Sequence, residues 1–226
     1  MRIAPVLVPH LRRPTSRLWS DAAMAARITH NDSASTAACV AWIRLLWDLL
    51  GRLAPPENAW WVRTFAESLR ELETDETYQP RSGQFADFRG PLWRFLLEHV
   101  WSEAETRRTV LDAANAWFSG AFVFETVPCV LHILTLHGHD PQEAIVRAVN
   151  DTKDNDTIAA LVGAAVGALH GKLAFPSAWL DGLLGRTTEE DDGAVYHILD
   201  ETRRIWWDGP APVPSPGQES ELGNRS

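Results

Sequence analysis

Cysteine is nearly absent: the 226-residue sequence holds two, Cys39 and Cys129, too few for a disulfide framework. Each lies in an apolar run, Ala-Ala-Cys-Val and Val-Pro-Cys-Val, where a free thiol behaves as a small hydrophobe. A reducing cytoplasmic setting is expected. Positive charge is also in deficit. With 21 Lys plus Arg against 30 Asp plus Glu the net charge is −9, and an acidic surface repels phosphate backbones, so nucleic acid is not expected as a main partner. Long uncharged apolar runs are missing too. Arg44 and Asp48 interrupt the segment from Ala37 to Leu50, which falls short of the roughly 18 residues a membrane span needs. Arg2, Arg12, Arg13 and Arg17 give the N-terminus the composition of a transit peptide, but Pro5, Pro9 and Pro14 break the amphipathic helix such a peptide requires. Strand patterns are nearly absent, and no repeat occurs at a solenoid period.

Helical punctuation is what the sequence does contain. Asp32-Ser33 precedes a run in which Val40, Ile43, Leu46, Trp47 and Leu50 recur at spacings of three and four, closed by Gly51. Ser102-Glu103-Ala104-Glu105 reads as a capping box opening a helix through Phe118, with Gly120 after it. Asp140-Pro141-Gln142-Glu143 opens another helix to Asn150, its proline at the first helical position where a missing N–H costs nothing. Further helices are expected over Asp21–Ile28, Glu57–Glu71, Pro91–Val100, Thr126–His137, Thr157–His170, Pro176–Leu184 and Thr188–Trp206. Residues 74–90 mix Asp, Thr, Pro, Ser and Gly without periodicity, as a loop lying over a site or a mobile one would. After Trp207 the composition turns to Pro, Gly, Ser and Glu, giving a helical domain over 1–207 and a disordered tail over 208–226. Eleven tryptophans fill a core or offer a stacking platform.

The densest group of hard oxygen donors is Asn150-Asp151-Thr152-Lys153-Asp154-Asn155-Asp156-Thr157. Asp154 and Asp156 diverge on a regular helix, but in a loop entering a helix they and the Thr157 hydroxyl can converge on one Mg²⁺ or Ca²⁺. One of the two aspartates can equally cap the helix. The glycines that follow, Gly163, Gly167 and Gly171, are spaced by four among alanines, a pattern suited to close approach of another helix. His132, His137 and His139 match no standard zinc spacing.

Several segments resemble the ADP-ribosylglycohydrolases in family order, the bacterial type being the dinitrogenase-reductase-activating glycohydrolase. Met1-Arg2-Ile3-Ala4-Pro5 is similar to the family's A-M-R-I-A-P motif, and Ile28-Thr29-His30-Asn31-Asp32 to its T-H helix junction. Phe124-Glu125-Thr126-Val127-Pro128 resembles the segment leading into a central helix. Asp154-Asn155-Asp156-Thr157-Ile158-Ala159-Ala160, through Gly163-Ala164 to Gly171, resembles the D-T-D-T-I-A-A-x-x-G-A stretch of the C-terminal metal site. The resemblance implies an all-α orthogonal multi-helix bundle with a binuclear Mg²⁺ (or Mn²⁺) centre that cleaves the bond between ADP-ribose and a protein side chain. It further implies that Asp154, Asp156 and Thr157 are metal ligands and that His30 lies near bound ADP-ribose.

Thr152-Lys153 stands where the family has paired glycines. The family's N-terminal half, with its G-D-x-x-G entry and T-D-D-T motif, has no counterpart in the chain, and Met1 falls where the family has an internal methionine. Glu189-Glu190-Asp191-Asp192 reads as the charged first turn of the last helix rather than a substitute. The resemblance therefore implies the C-terminal portion of such an enzyme, from a late start, a truncated gene or an interrupted frame, with half a metal site and weak or no hydrolysis alone. Apolar faces freed from the missing half favour self-association. The alternatives are a non-catalytic module that binds ADP-ribose or pairs with a separate chain, and a helical protein unrelated to the family.

Overall fold

The computed structural model describes residues 1–75, 77–101, 108–184 and 194–208, all helix, turn or loop with no strand among them. A 3₁₀ segment, Ala4–His10, leads into α1 (Arg17–Arg27), α2 (Ser33–Leu50) and α3 (Asn58–Leu72). There follow α4 (Leu92–Phe95), which passes into a π turn at Leu96–Val100, α5 (Val110–Ala116) and α6 (Val123–His137). The chain continues through α7 (Pro141–Asn150), α8 (Asn155–His170), α9 (Ser177–Leu184) and α10 (Ala194–Arg203), which ends in a π turn, Arg204–Asp208. The tail expected from 208 lies outside the described residues beyond Asp208.

The bundle is built round α6, which packs against α2, α3, α5, α7 and α8. Phe124, Val130, Leu131, Ile133 and Leu134 are all buried to within 1 % exposure, and a helix that is apolar on every side is stable only when enclosed. From α2, Ile43, Leu45 and Leu49 are fully buried; from α3, Trp61, Phe65 and Leu69 join them. At α2 the cap read from the sequence is in place, the Asp32 carboxylate accepting the Ser35 N–H at 2.8 Å. At α7, Asp140 accepts the N–H groups of Gln142 and Glu143, each at 3.1 Å.

Two helix boundaries differ notably from expectation. α1 begins four residues before Asp21, because Leu18, Ala22 and Ala26 form one buried stripe at i, i+4 and i+8. The expected helix over 102–118 is not continuous: its capping box lies outside the described residues, Arg108 and Thr109 are non-helical, and Thr109 caps α5 by accepting the Asp112 N–H at 3.2 Å. Residues 185–193, including the acidic run expected to open the last helix, are likewise outside the described residues.

Loop 74–90 is closed at its base by Glu73, whose carboxylate accepts the N–H groups of Leu92 at 2.8 Å and Trp93 at 3.3 Å. Gly90 donates to the Tyr78 carbonyl at 2.9 Å, and Gln84 donates to the Ala116 carbonyl at 2.6 Å. Gly83 permits that approach, since its φ is 89° and a Cβ there would sit 2.5 Å from the Ala116 oxygen. Phe85 and Phe88 pack edge-on against Phe95 at 5.8 and 5.1 Å. The loop is thus a docked structure with its own aromatic anchor.

The glycines of α8 do not serve the close helix approach their spacing suggested. A Cβ at Gly163 would meet only the Ile145 side chain at 3.9 Å, and at Gly167 only Phe175 at 3.8 Å, which are ordinary contacts. Gly171 has a separate reason to be glycine, a φ of 75° with ψ of 172° where the helix ends, a region almost closed to other residues. Gly163→Ala and Gly167→Ala are therefore expected to stabilise the protein by about 0.5–1 kcal/mol each. Gly171→Ala is expected to destabilise it by about 1–3 kcal/mol, and urea denaturation followed by circular dichroism reads all three.

Candidate functional site

A cavity of about 770 Å³ opens between the N-terminal segment, the α1–α2 junction and the starts of α6 and α8. Its buried wall is apolar, with Trp42, Phe65, Val130 and Leu131. Polar side chains also line it: His30, Asp32, Arg81, Thr126, Asp154 and Thr157. Trp42 is the one tryptophan on this wall; Trp61 and Trp117 fill the core.

The corner before α6 positions the acidic loop. Phe118 and Ser119 have φ values of 73° and 46°, a left-handed pair of non-glycine residues that persists only when surrounding contacts enforce it. Those contacts are the acidic loop itself. Asp154 donates its N–H to the Ser119 carbonyl at 3.0 Å, and Lys153 donates its N–H to the Ser119 hydroxyl at 3.1 Å. The Lys153 ammonium lies over the Phe118 ring at 3.7 Å, so the cation that replaces a glycine of the family pattern has an aromatic face to rest on. One residue on, the Thr126 hydroxyl donates to the Gly120 carbonyl at 2.8 Å, fixing the corner to α6.

Asp154 stands at the N-cap position of α8 but makes no side-chain cap bond. Its Oδ2 is buried without a hydrogen-bond partner. Burial pushes its pKa up; the Thr157 hydroxyl bonds to it and opposes the rise, the neighbouring Asp156 carboxyl adds to it, and the N-terminal ammonium opposes it. Asp156 is exposed and is not part of the cavity lining, whereas Asp154 and Thr157 are. Among the described residues no group of three or more His, Cys, Asp or Glu side chains gathers as a metal cage. The Asp154 carboxylate, with one oxygen unsatisfied, and the Thr157 hydroxyl have the chemistry a hard divalent cation selects, as one side of its shell, while Asp156 stands beside them outside the cavity lining.

His30 lies just beyond α1, donates its backbone N–H to the Ala26 carbonyl at 3.0 Å, and has its Nδ1 2.9 Å from the Thr29 hydroxyl. It is exposed and lines the cavity. Beside it Asp32 accepts from the Tyr78 hydroxyl at 2.7 Å as well as from Ser35. Burial raises the Asp32 pKa, but the Ser35 and Tyr78 hydrogen bonds and the charge of His30 outweigh it and leave the carboxyl below its ordinary value. Burial and the same bond push Tyr78 up to about 12. The sequence marked Asp32 as a cap and as part of the T-H junction, and left Arg81, Tyr78 and Ser119 unmarked. A left-handed serine has no signature in a single sequence, and loop residues have no periodicity to place them.

Four sequence-distant segments therefore meet at this cavity, represented by Met1 to Ile3, His30, Thr126 with Val127, and Asp154 with Thr157. A family model described as ADP-ribosylglycohydrolase matches residues 1–205. The chain belongs to the ADP-ribosylglycohydrolase family. No curated protein and no solved structure matches it. Within this ADP-ribosylglycohydrolase-family chain no described helix is long and apolar enough to cross a membrane.

Because the Asp32 carboxyl has a lower pKa folded than unfolded, its contribution to stability is present above the unfolded value of about 3.9 and disappears as pH falls through the folded value. Asp32→Asn is expected to lower stability at pH 7 and to reduce the acid-induced loss below about pH 4. Urea midpoints of the two proteins at pH 7 and pH 3 check this.

Proposed function

We propose that this chain binds ADP-ribose carried on a protein side chain in the 770 Å³ cavity and contributes one side of the divalent-metal site that hydrolyses the glycosidic bond. The observation that carries the reading is the convergence of the four family-like segments on that cavity. Its volume lies in the range of small-molecule sites.

Asp154, Asp156 and Thr157 are the residues that would hold the cation. A bound Mg²⁺ or Mn²⁺ would supply charge stabilisation, ribose-hydroxyl orientation and water activation. The protein's own part is positional. The Ser119 corner holds the Asp154 backbone, the Thr157 hydroxyl engages the carboxyl, and Oδ2 is left for a cation. His30 is placed to meet the ribose side of the ligand, and the apolar wall at Trp42 and Val130 excludes water as the bond loosens through an oxocarbenium-like state.

Two carboxylates do not hold a pair of strongly hydrated ions, so hydrolysis by the chain alone is weak or absent.

Calorimetry with ADP-ribose in the presence of Mg²⁺ is expected to show binding by the wild type and at least about tenfold weaker binding by Asp154→Asn. Turnover of ADP-ribosylated arginine or serine peptides is expected to be at background. A folded wild type that gives no heat with ADP-ribose and Mg²⁺ refutes the binding reading. Turnover that is clearly above background and abolished in Asp156→Ala refutes the half-site.

A further inference from the structure

Beside the main cavity lies a second, open chamber, a shallow surface recess lined by Asp75, Thr77, Tyr78, Gln79, Arg81 and Phe122. Arg81 and Phe122 line both. The two chambers therefore share a partition, and the one positive side chain in that partition is Arg81.

In a protein of net charge −9, several arginines form ion pairs: Arg44 with Glu71, Arg63 with Glu57, Arg94 with Glu98, Arg147 with Glu143 and Asp151. Arg81 makes none among the described residues. Its guanidinium lies over the Phe122 ring, 4.2 Å from the centroid. A guanidinium held over a ring by this attraction still has N–H donors to offer, and such donors take a phosphate group. The residue is also held at its backbone, where the buried Glu125 carboxylate accepts the Arg81 N–H and senses the guanidinium charge. Ordering the side chain on binding therefore costs less than for a free surface arginine.

We propose that Arg81 is the diphosphate-binding residue of this site, placed so that a ligand with two nucleoside-like ends joined by a diphosphate occupies both chambers at once. Resting on the ADP-ribose reading, the assignment puts the ribose that bears the scissile bond in the larger chamber with Asp154, Thr157 and His30. The adenosine end lies along the open recess, past Tyr78 and Gln79. The diphosphate passes Arg81 between them. Loop 74–90, anchored by Glu73, Gly83 and its phenylalanines, is the rigid mount that holds the guanidinium at the partition.

The test is calorimetric titration of wild type, Arg81→Gln and Arg81→Lys with ADP-ribose, inorganic pyrophosphate and adenosine, with melting temperatures to verify folding. Arg81→Gln is expected to weaken ADP-ribose and pyrophosphate by about ten- to a hundredfold and leave adenosine unchanged. Arg81→Lys, which keeps the charge but loses the planar fork, is expected to fall between. Equal ADP-ribose affinity in wild type and Arg81→Gln overturns the assignment while leaving the ADP-ribose reading intact. A parallel loss of adenosine binding also overturns it, by showing that Arg81 only supports the wall. Pyrophosphate bound by the wild type and lost in Arg81→Gln supports the anion site even if ADP-ribose itself fails to bind, and a wild type that binds neither refutes both.

Discussion

The hydrogen bond from the Asp154 N–H to the Ser119 carbonyl, 3.0 Å long, joins the two parts of the protein on which the site depends. On one side is the corner that leads into α6, the helix enclosed by five others. On the other is the acidic loop entering α8, which has no apolar side chain of its own with which to anchor itself. Two consecutive left-handed residues, Phe118 and Ser119, turn the backbone so that both the carbonyl and the hydroxyl of Ser119 face that loop. Such a conformation costs on the order of 1–3 kcal/mol per residue, and it is stored where carboxylate orientation matters.

That geometry explains why Asp154 is left electrostatically exposed to its neighbours. An N-cap aspartate ordinarily satisfies its oxygens on first-turn N–H groups, as Asp32 and Asp140 do here. Held by the corner, Asp154 forgoes that role: its Oδ2 is buried without a partner and its pKa is pushed up by burial and by Asp156. The contrast among three aspartates at three helix starts is the difference between a structural carboxylate and one kept available. A cation supplied to Asp154 would meet a desolvated oxygen that already lacks a partner.

Most helices were legible because caps and apolar spacing agree locally: α2 and α7 begin at the residue after the aspartates that mark them, and α3 and α8 lie within two residues of expectation. The break at Arg108 and Thr109 was not legible, since a capping box and an apolar run propose one helix and only packing decides that Thr109 starts another. The glycine spacing in α8 misled for a related reason, as small residues permit close approach without requiring it. At the site, Asp154, Asp156, Thr157 and His30 could be named from local motifs and family resemblance. The meeting of His30, Asp154 and Thr157 at one cavity required the fold. Arg81 required it entirely, because a single arginine in an aperiodic loop becomes informative only when its ring partner, Phe122, and the two chambers it borders are seen together.

In the proposed divalent-cation site, the loop held by Ser119 is one face. Electron paramagnetic resonance of Mn²⁺ titrated into the wild type and Asp154→Asn tests it without relying on turnover. Wild-type protein is expected to deplete the free Mn²⁺ signal, excess Mg²⁺ to restore it, and Asp154→Asn, folded to the same helical content, to leave it undiminished. Depletion of equal size in both proteins, or none in the wild type, would contradict the proposed site.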